Sequence, residues 1–231
     1  IWSGRVAEWI DLGKEADQRA SQIQDVGRKV AALTVMAGGQ NFYGTPAEAV
    51  VLGEEVVGLA EASGNPGWRN LAQYNLGQAY FLAGRYRAAE QTFARARSHL
   101  MEPEASAPFG TPPKYTLLLC CMMKSFTHTV MGEFEAAEQL QQQAAAIAEE
   151  TGRPYDRVAA AYSGGWLMLG RGDAAAAASI LEDGFVLAQK HGIRLFVPVL
   201  ACHLGIAYLE QGQFDRARRM PCFCASTKPS S

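Results

Sequence analysis

Apolar and polar residues follow one another along this chain with a helical period. Between Asn70 and Ala83 the apolar residues Leu71, Tyr74, Leu76, Ala79, Tyr80 and Leu82 return about once per turn and predict one helix. From Tyr86 to Leu100 the residues Ala88, Ala89, Phe93, Ala96 and Leu100 mark a second. Gly84-Arg85 separates them, which leaves room only for a tight turn. No stretch sustains the every-other-residue alternation of a half-buried strand, so the pattern predicts an all-α chain.

The glycine turn recurs. Gly4, Gly44, Gly84, Gly132, Gly172 and Gly212 each stand before a helical pattern, at steps of 40, 40, 48, 40 and 40 residues. A fixed period of this length is the mark of stacked repeats, each of which buries its apolar face only against its neighbours. Other helix ends fall at Gly64, Gly152 and Gly192, with Asn65-Pro66 and Arg153-Pro154 supplying stop chemistry. The single eight-residue excess falls in 101–114, MEPEASAPFGTPPK, whose four prolines exclude a continuous helix and predict an exposed loop.

Within one unit, Leu76, Gly77, Tyr80, Gly84, Tyr86, Ala89, Phe93 and Ala96 resemble the tetratricopeptide repeat. The series returns as Leu204, Gly205, Tyr208, Gly212, Phe214 and Ala217, and more loosely as Gly165, Gly172, Ala177 and Leu181. Small residues at 77 and 89 let two helices cross closely, and Tyr80 and Phe93 fill the space beside the crossing. Gly77, expensive in a helix by about 1 kcal/mol against alanine, is therefore read as a packing residue. The resemblance implies an all-α, tetratricopeptide-like helical-hairpin solenoid, a right-handed superhelix, with a period of about 40 residues in place of the usual ~34. The longer period asks for longer helices. We expect a single solenoid over 1–219 that begins and ends within a repeat, and an irregular tail over 220–231. Uncapped ends would expose apolar faces and favour self-association.

Composition narrows the function. The chain has 231 residues, 48% hydrophobic and 19% charged, with a formal net charge of −2. Near-balanced charge argues against a nucleic-acid-binding face, and Arg216-Ala217-Arg218-Arg219 reads as a solvated helix end. The longest apolar run, Tyr115–Met123, falls far short of the ~20 residues of a membrane helix. With no signal-peptide core at the start, a cytoplasmic location away from membranes is expected. Cys120, Cys121, Cys202, Cys222 and Cys224 lack the spacing of a zinc site, so no metal is expected.

No phosphate loop, dinucleotide fingerprint, zinc-protease motif or nucleophile elbow is present. Gly13-Lys14 lacks the partners a phosphate loop needs. Cys202 and His203 point about 100° apart on a helix and make no catalytic dyad. His128 stands where other repeats carry Tyr80 or Tyr208, and the acidic pairs Glu54-Glu55, Glu149-Glu150 and Glu182-Asp183 read as solvated faces of second helices. We therefore expect no catalytic residues, no cofactor and no enzyme.

What remains is surface. First helices of stacked hairpins line one side of such an array, and that side binds extended peptides or partner helices. The register places Tyr74, Gln78 and Phe81 there in one repeat, Met122 and Phe126 in the next, then Tyr162 and Trp166, then Cys202 and Ile206. The same residues in the same register would also pack between neighbouring repeats. The expected partner is a protein or peptide, or another domain of the same chain.

Longer stretches carry a narrower resemblance. GEFEAAEQLQQQAAAIAEETGRPYD (132–156), GGWLMLGRGDAAAAASILEDGFVLAQKHGI (164–193), LGIAYLEQGQFDRAR (204–218) and the Phe109-Gly110 loop are similar to the helical-repeat tails of large bacterial signalling proteins. Those proteins join a class III adenylate/guanylate cyclase domain, an AAA-type ATPase domain and a repeat tail, and related tails occur in ATPase-type transcriptional regulators. The resemblance covers most of residues 28–219 and reaches none of the cyclase or ATPase motifs. It implies a non-catalytic interaction or regulatory arm of a larger protein. The alternative it implies is a small-ligand sensor controlling an attached cyclase, ATPase or transcriptional regulator. A dry aromatic pocket at Tyr162 and Trp166 would favour the sensor, and an open polar groove would favour a peptide.

Overall fold

A computed structural model describes residues 6–102 and 112–220. Among the described residues the regular elements are helices: α1 (Val6–Gln22), α2 (Val26–Tyr43), α3 (Pro46–Ala62), α4 (Pro66–Leu82), α5 (Tyr86–Leu100), α6 (Pro113–Val130), α7 (Phe134–Thr151), α8 (Pro154–Gly170), α9 (Ala174–Lys190), α10 (Val197–Glu210) and α11 (Phe214–Arg218). The fold is an all-α, tetratricopeptide-like solenoid of helical hairpins. Most helices run to 17 or 18 residues, and two such helices with two short turns fill the 40-residue period. Gly4, most of the proline-rich loop and the tail beyond Met220 lie outside the described residues.

The turns are built by local chemistry that repeats. Gly84, Gly132, Gly172 and Gly212 take φ of 72°, 75°, 80° and 71°, the left-handed region that costs glycine nothing. Each lets the next amide reach back across the helix end. Arg85 N–H donates to the Tyr80 carbonyl (2.8 Å), Glu133 to His128 (2.9 Å), Asp173 to Met168 (2.9 Å) and Gln213 to Tyr208 (2.8 Å). Gly44 departs from this set. Its φ is −88°, and the turn is made instead by the helix that follows, where Thr45 and Glu48 form a capping box ahead of Pro46. Between hairpins, Asp25 and Asn65 cap α2 and α4 through the amides of Arg28 and Trp68.

The chain divides into two compact units, 1–127 and 128–231. In the first, α1 packs on α2, α2 on both α3 and α4, α3 on α4, and α4 on α5. Val30, Leu33, Ala37, Val56, Ala60 and Ala72 form its central cluster, flanked by Met36, Leu52 and Trp68. In the second, α8 packs on α7 and α9, and α10 on α8, α9 and α11. Val158, Leu167, Leu181, Leu200 and Leu204 are its largest fully buried side chains.

Gly77 packs as its register predicts. A methyl added there would lie 2.5 Å from Cε1 of the buried Phe93, too close for any real contact. Gly165 faces Leu181 in the same way, at 2.4 Å from Cγ. Two hairpins of the array thus close through a glycine on the first helix and a large apolar residue on the second.

Candidate functional site

The first helices α2 and α4 meet through side-chain amides. Asn75 Nδ2 donates to the Thr34 carbonyl (2.8 Å), and Asn41 Nδ2 donates to the Asn75 carbonyl (2.9 Å) and approaches Gln78 Oε1 (3.5 Å). A Cβ at Gly38 would sit 3.3 Å from the Asn75 amide nitrogen, so the missing side chain gives Asn75 its room. Each of these bonds joins residues 34 to 41 positions apart, which is one repeat. Buried amides of this kind are favourable only when paired, and once paired they fix which register two helices adopt.

On α4, Tyr74 is buried, its ring 6.1 Å from Phe93, and burial pushes its phenol well above the ordinary tyrosine range. Gln78 and Phe81 are half-buried, with Phe81 edge-on to Tyr86 at 5.6 Å. On α6, Met122 and Phe126 are buried, as are Cys120 and Cys121. Burial raises both thiols, which removes the thiolate character a nucleophile needs.

The second unit brings aromatic rings together across α8 and α10. Tyr162 is buried, and its ring lies 6.0 Å from Phe196, 5.3 Å from His203 and 6.4 Å from Trp166, each close to edge-on. Trp166 and His203 are 5.0 Å apart. His203 donates Nδ1–H to the Val199 carbonyl at 2.7 Å, leaving Nε2 as an acceptor. Burial lowers its pKa, and the Val199 bond offsets part of that, so the ring is neutral near pH 7. Cys202, Ile206 and Leu209 stand one helical turn apart along α10 and are exposed, Ile206 by 39% and Leu209 by 52%. Cys202 and His203 thus serve different surroundings, one turned to solvent and the other held by Val199.

The candidate groove residues therefore fall into three environments. Tyr74, Met122, Phe126 and Tyr162 are buried, Gln78, Phe81 and Trp166 are half-buried, and Cys202 and Ile206 are exposed. His203, Asn41 and Asn75 join them without having been signalled by the sequence pattern. His203 was legible only as the neighbour of Cys202, and the asparagines only once the facing helix is known.

Two acidic residues read as solvated have a further role. Tyr80 donates to Glu54 Oε1 (2.7 Å) with Arg85 over the tyrosine ring, and Tyr208 donates to Glu182 Oε1 (2.6 Å) with Arg216 over its ring at 4.2 Å. Glu182 also pairs with Arg216 at 2.7 Å. His128, at the matching position between them, pairs with Glu133 at 2.6 Å. The two tyrosine contacts tie α4 to α3 and α10 to α9, and the His128 contact closes the turn between α6 and α7.

Among the described residues no group of three or more His, Cys, Asp or Glu side chains is placed to hold a metal ion, and no helix is long and apolar enough to cross a membrane.

A helix, a left-handed glycine and a second helix crossing over a packed glycine define a tetratricopeptide-type repeat. Models of the tetratricopeptide repeat match residues 70–100, 117–151 and 198–220, each of which takes in two consecutive helices. The crystal structure of BtubC (BKLC) from P. vanneervenii is similar over 99% of this chain and 96% of its own, with 16% identity and a TM-score of 0.66. Two crystal structures of putative kinesin light chain nearly identical TPR-like repeats from Podosopora anserina, one of them a point variant, cover 83% of this chain and 91% of theirs. Their identities are 20% and 19%, with TM-scores of 0.55 and 0.56, the variant being the second of each pair. No curated protein sequence matches. Tetratricopeptide repeats are protein-interaction modules and are generally non-catalytic scaffolds.

Proposed function

We propose that this chain is a protein-interaction module that takes a segment of a partner protein along α10. The observation that carries this is the stripe Cys202, Ile206 and Leu209, apolar, exposed and in line on one face of that helix. Trp166 and His203 stand in the neighbouring rows of side chains, with the neutral Nε2 of His203 available to a donor on the partner. A patch of this make-up, apolar with one directed acceptor, suits a protein side chain better than a charged small molecule.

The rings of Tyr162, Trp166 and His203 lie against one another, which speaks for a surface patch over an aromatic sensor pocket. The likeness of most of residues 28–219 to the repeat tails of cyclase–ATPase signalling proteins supports a regulatory arm of such a protein as its setting. In that setting the partner is another domain of the same chain or a protein that engages it.

A photo-reactive phenylalanine analogue in place of Ile206 tests the patch in the cell that makes the protein. A discrete cross-linked adduct is expected from position 206, and none from Val186, which is 62% exposed on α9. Adducts from 186 and not from 206 would overturn the placement.

A further inference from the structure

A different face of α4 opens into a cleft of about 160 Å³ between α3 and α5. Its floor is apolar, with Val57 from α3 and Leu76 and the Tyr80 ring from α4. Its α5 wall is polar, with Gln91, Thr92 and Arg95 on one helical face.

The charges around the cleft are nearly all engaged. Glu54 stands one turn before Val57 on α3 and is held by Tyr80 at 2.7 Å and Arg85 at 3.9 Å. Glu61, one turn after, receives Gln73 Nε2 at 3.4 Å, and Gln73 Oε1 in turn meets His99 Nδ1 at 3.3 Å. Thr92 gives its hydroxyl proton to the Ala88 carbonyl at 2.8 Å. Arg95 is the exception, a guanidinium on the lining with no acid partner among the described residues. Gln91, one turn away on the same face of α5, also has its amide donors uncommitted there.

We infer that this cleft binds a small monocarboxylate, its acid group on Arg95 and Gln91 and its hydrocarbon body on Val57, Leu76 and the Tyr80 ring. Guanidinium matches carboxylate geometry with two parallel donors, and an amide four residues away supplies a third. The volume is that of about five waters, enough for a short aliphatic or single-ring acid. The apolar floor sets the preference. A fully hydrated anion such as phosphate would meet Arg95 and leave Val57 and Leu76 without a partner. The site is independent of the α10 patch and stands or falls separately from it.

Benzoate, butyrate and inorganic phosphate are titrated into the full 231-residue chain while the Arg95 Nε–H resonance is followed. Benzoate and butyrate should shift it saturably, and phosphate should bind more weakly than either. Arg95→Gln, at an exposed position, should weaken benzoate by about tenfold or more, as loss of a charge-assisted pair requires; binding to that variant is followed at the Gln91 amide. Arg157→Gln, at an exposed position on α8, should leave it unchanged. Ala88→Leu, which fills the cleft with Arg95 in place, should abolish binding while circular dichroism reports a folded chain. No saturable binding, equal affinity in Arg95→Gln or in folded Ala88→Leu, or phosphate binding as well as benzoate would each overturn the inference.

Discussion

Phe93 lies across Gly77 with three ring carbons inside 3 Å of where a methyl group would be, at 2.5, 2.7 and 2.8 Å. The ring is fully buried and belongs to the second helix of the hairpin whose first helix carries the glycine. The hairpin's closest crossing is therefore fixed by what Gly77 lacks. Neither helix gains local stability from the arrangement, since glycine weakens α4 and the ring finds its contacts only when the helices meet. Hairpin geometry and helix propensity pull in opposite directions here, and packing wins.

This opposition gives a paired test. Gly77→Ala should destabilise the protein by about 1–3 kcal/mol, because the ring has no room to retreat. Gly205 stands at the same repeat position in α10, yet a methyl there would meet Met220 Cγ at an ordinary 3.8 Å. Gly205→Ala should therefore be neutral or stabilising by up to about 1 kcal/mol through helix propensity. Urea denaturation of both variants checks the contrast. Equal effects would mean that the Phe93 contact is not what demands glycine.

Gln24 occupies the turn position where later repeats carry Gly64, Gly152 and Gly192, and it shares their left-handed backbone with φ of 55°. A side chain in that region costs about 1–2 kcal/mol, of which glycine's greater freedom when unfolded returns part. Gln24→Gly should raise stability by about 0.5–1 kcal/mol, and Gln24→Val should lower it. The order Gly above Gln above Val in thermal midpoint is the result to look for.

The 40-residue period was legible because its punctuation is local. A left-handed turn needs glycine at one place, and Gly84, Gly132, Gly172 and Gly212 supply it by sequence alone. Gly44 shared the spacing and not the conformation, since capping chemistry at Thr45 and Glu48 did the same work. The Tyr80–Glu54 and Tyr208–Glu182 pairs were present as a repeated separation of 26 residues, yet acidic residues on second helices read equally well as solvent-facing. The amides of Asn41 and Asn75 were out of reach for a different reason. Helical periodicity tells which residues share a face and says nothing of which face meets the neighbouring repeat. The same limit explains why one register could point to buried Tyr74 and exposed Ile206 alike.

Asp156 is fully buried at the start of α8, where Oδ2 accepts from Thr151 Oγ1 at 2.6 Å and from Arg153 Nε at 2.9 Å. It joins the end of α7 to the beginning of α8 across Gly152. Asp156→Ala should cost about 1–3 kcal/mol, less than a fully buried pair would lose, because Arg153 is 38% exposed and can turn to water. Asp156→Asn should recover part of the loss by accepting from Thr151. Chemical denaturation of both separates the hydrogen bonds from the charge, and a neutral Asp156→Ala would show that the cluster adds no stability.

His203 makes the stability of the second unit depend on pH. Its ring packs between Tyr162 and Trp166, and burial lowers its pKa below the ordinary value of 6.5. The unfolded chain thus takes up the proton first as pH falls, and stability rises with pH wherever the unfolded state binds more protons. The contribution of His203 should be complete above about pH 6.5 and should fade below it, down to the lowered native pKa. The comparison is between the wild type and His203→Phe, which keeps an aromatic ring without the charge. Between about pH 7.5 and pH 5 the wild type should lose more stability than the variant. Thermal midpoints at both pH values give the difference directly. Parallel losses would mean that the ring is protonated as readily in the folded chain as in the unfolded one, and that the Val199 bond, which favours the protonated form, offsets burial in full.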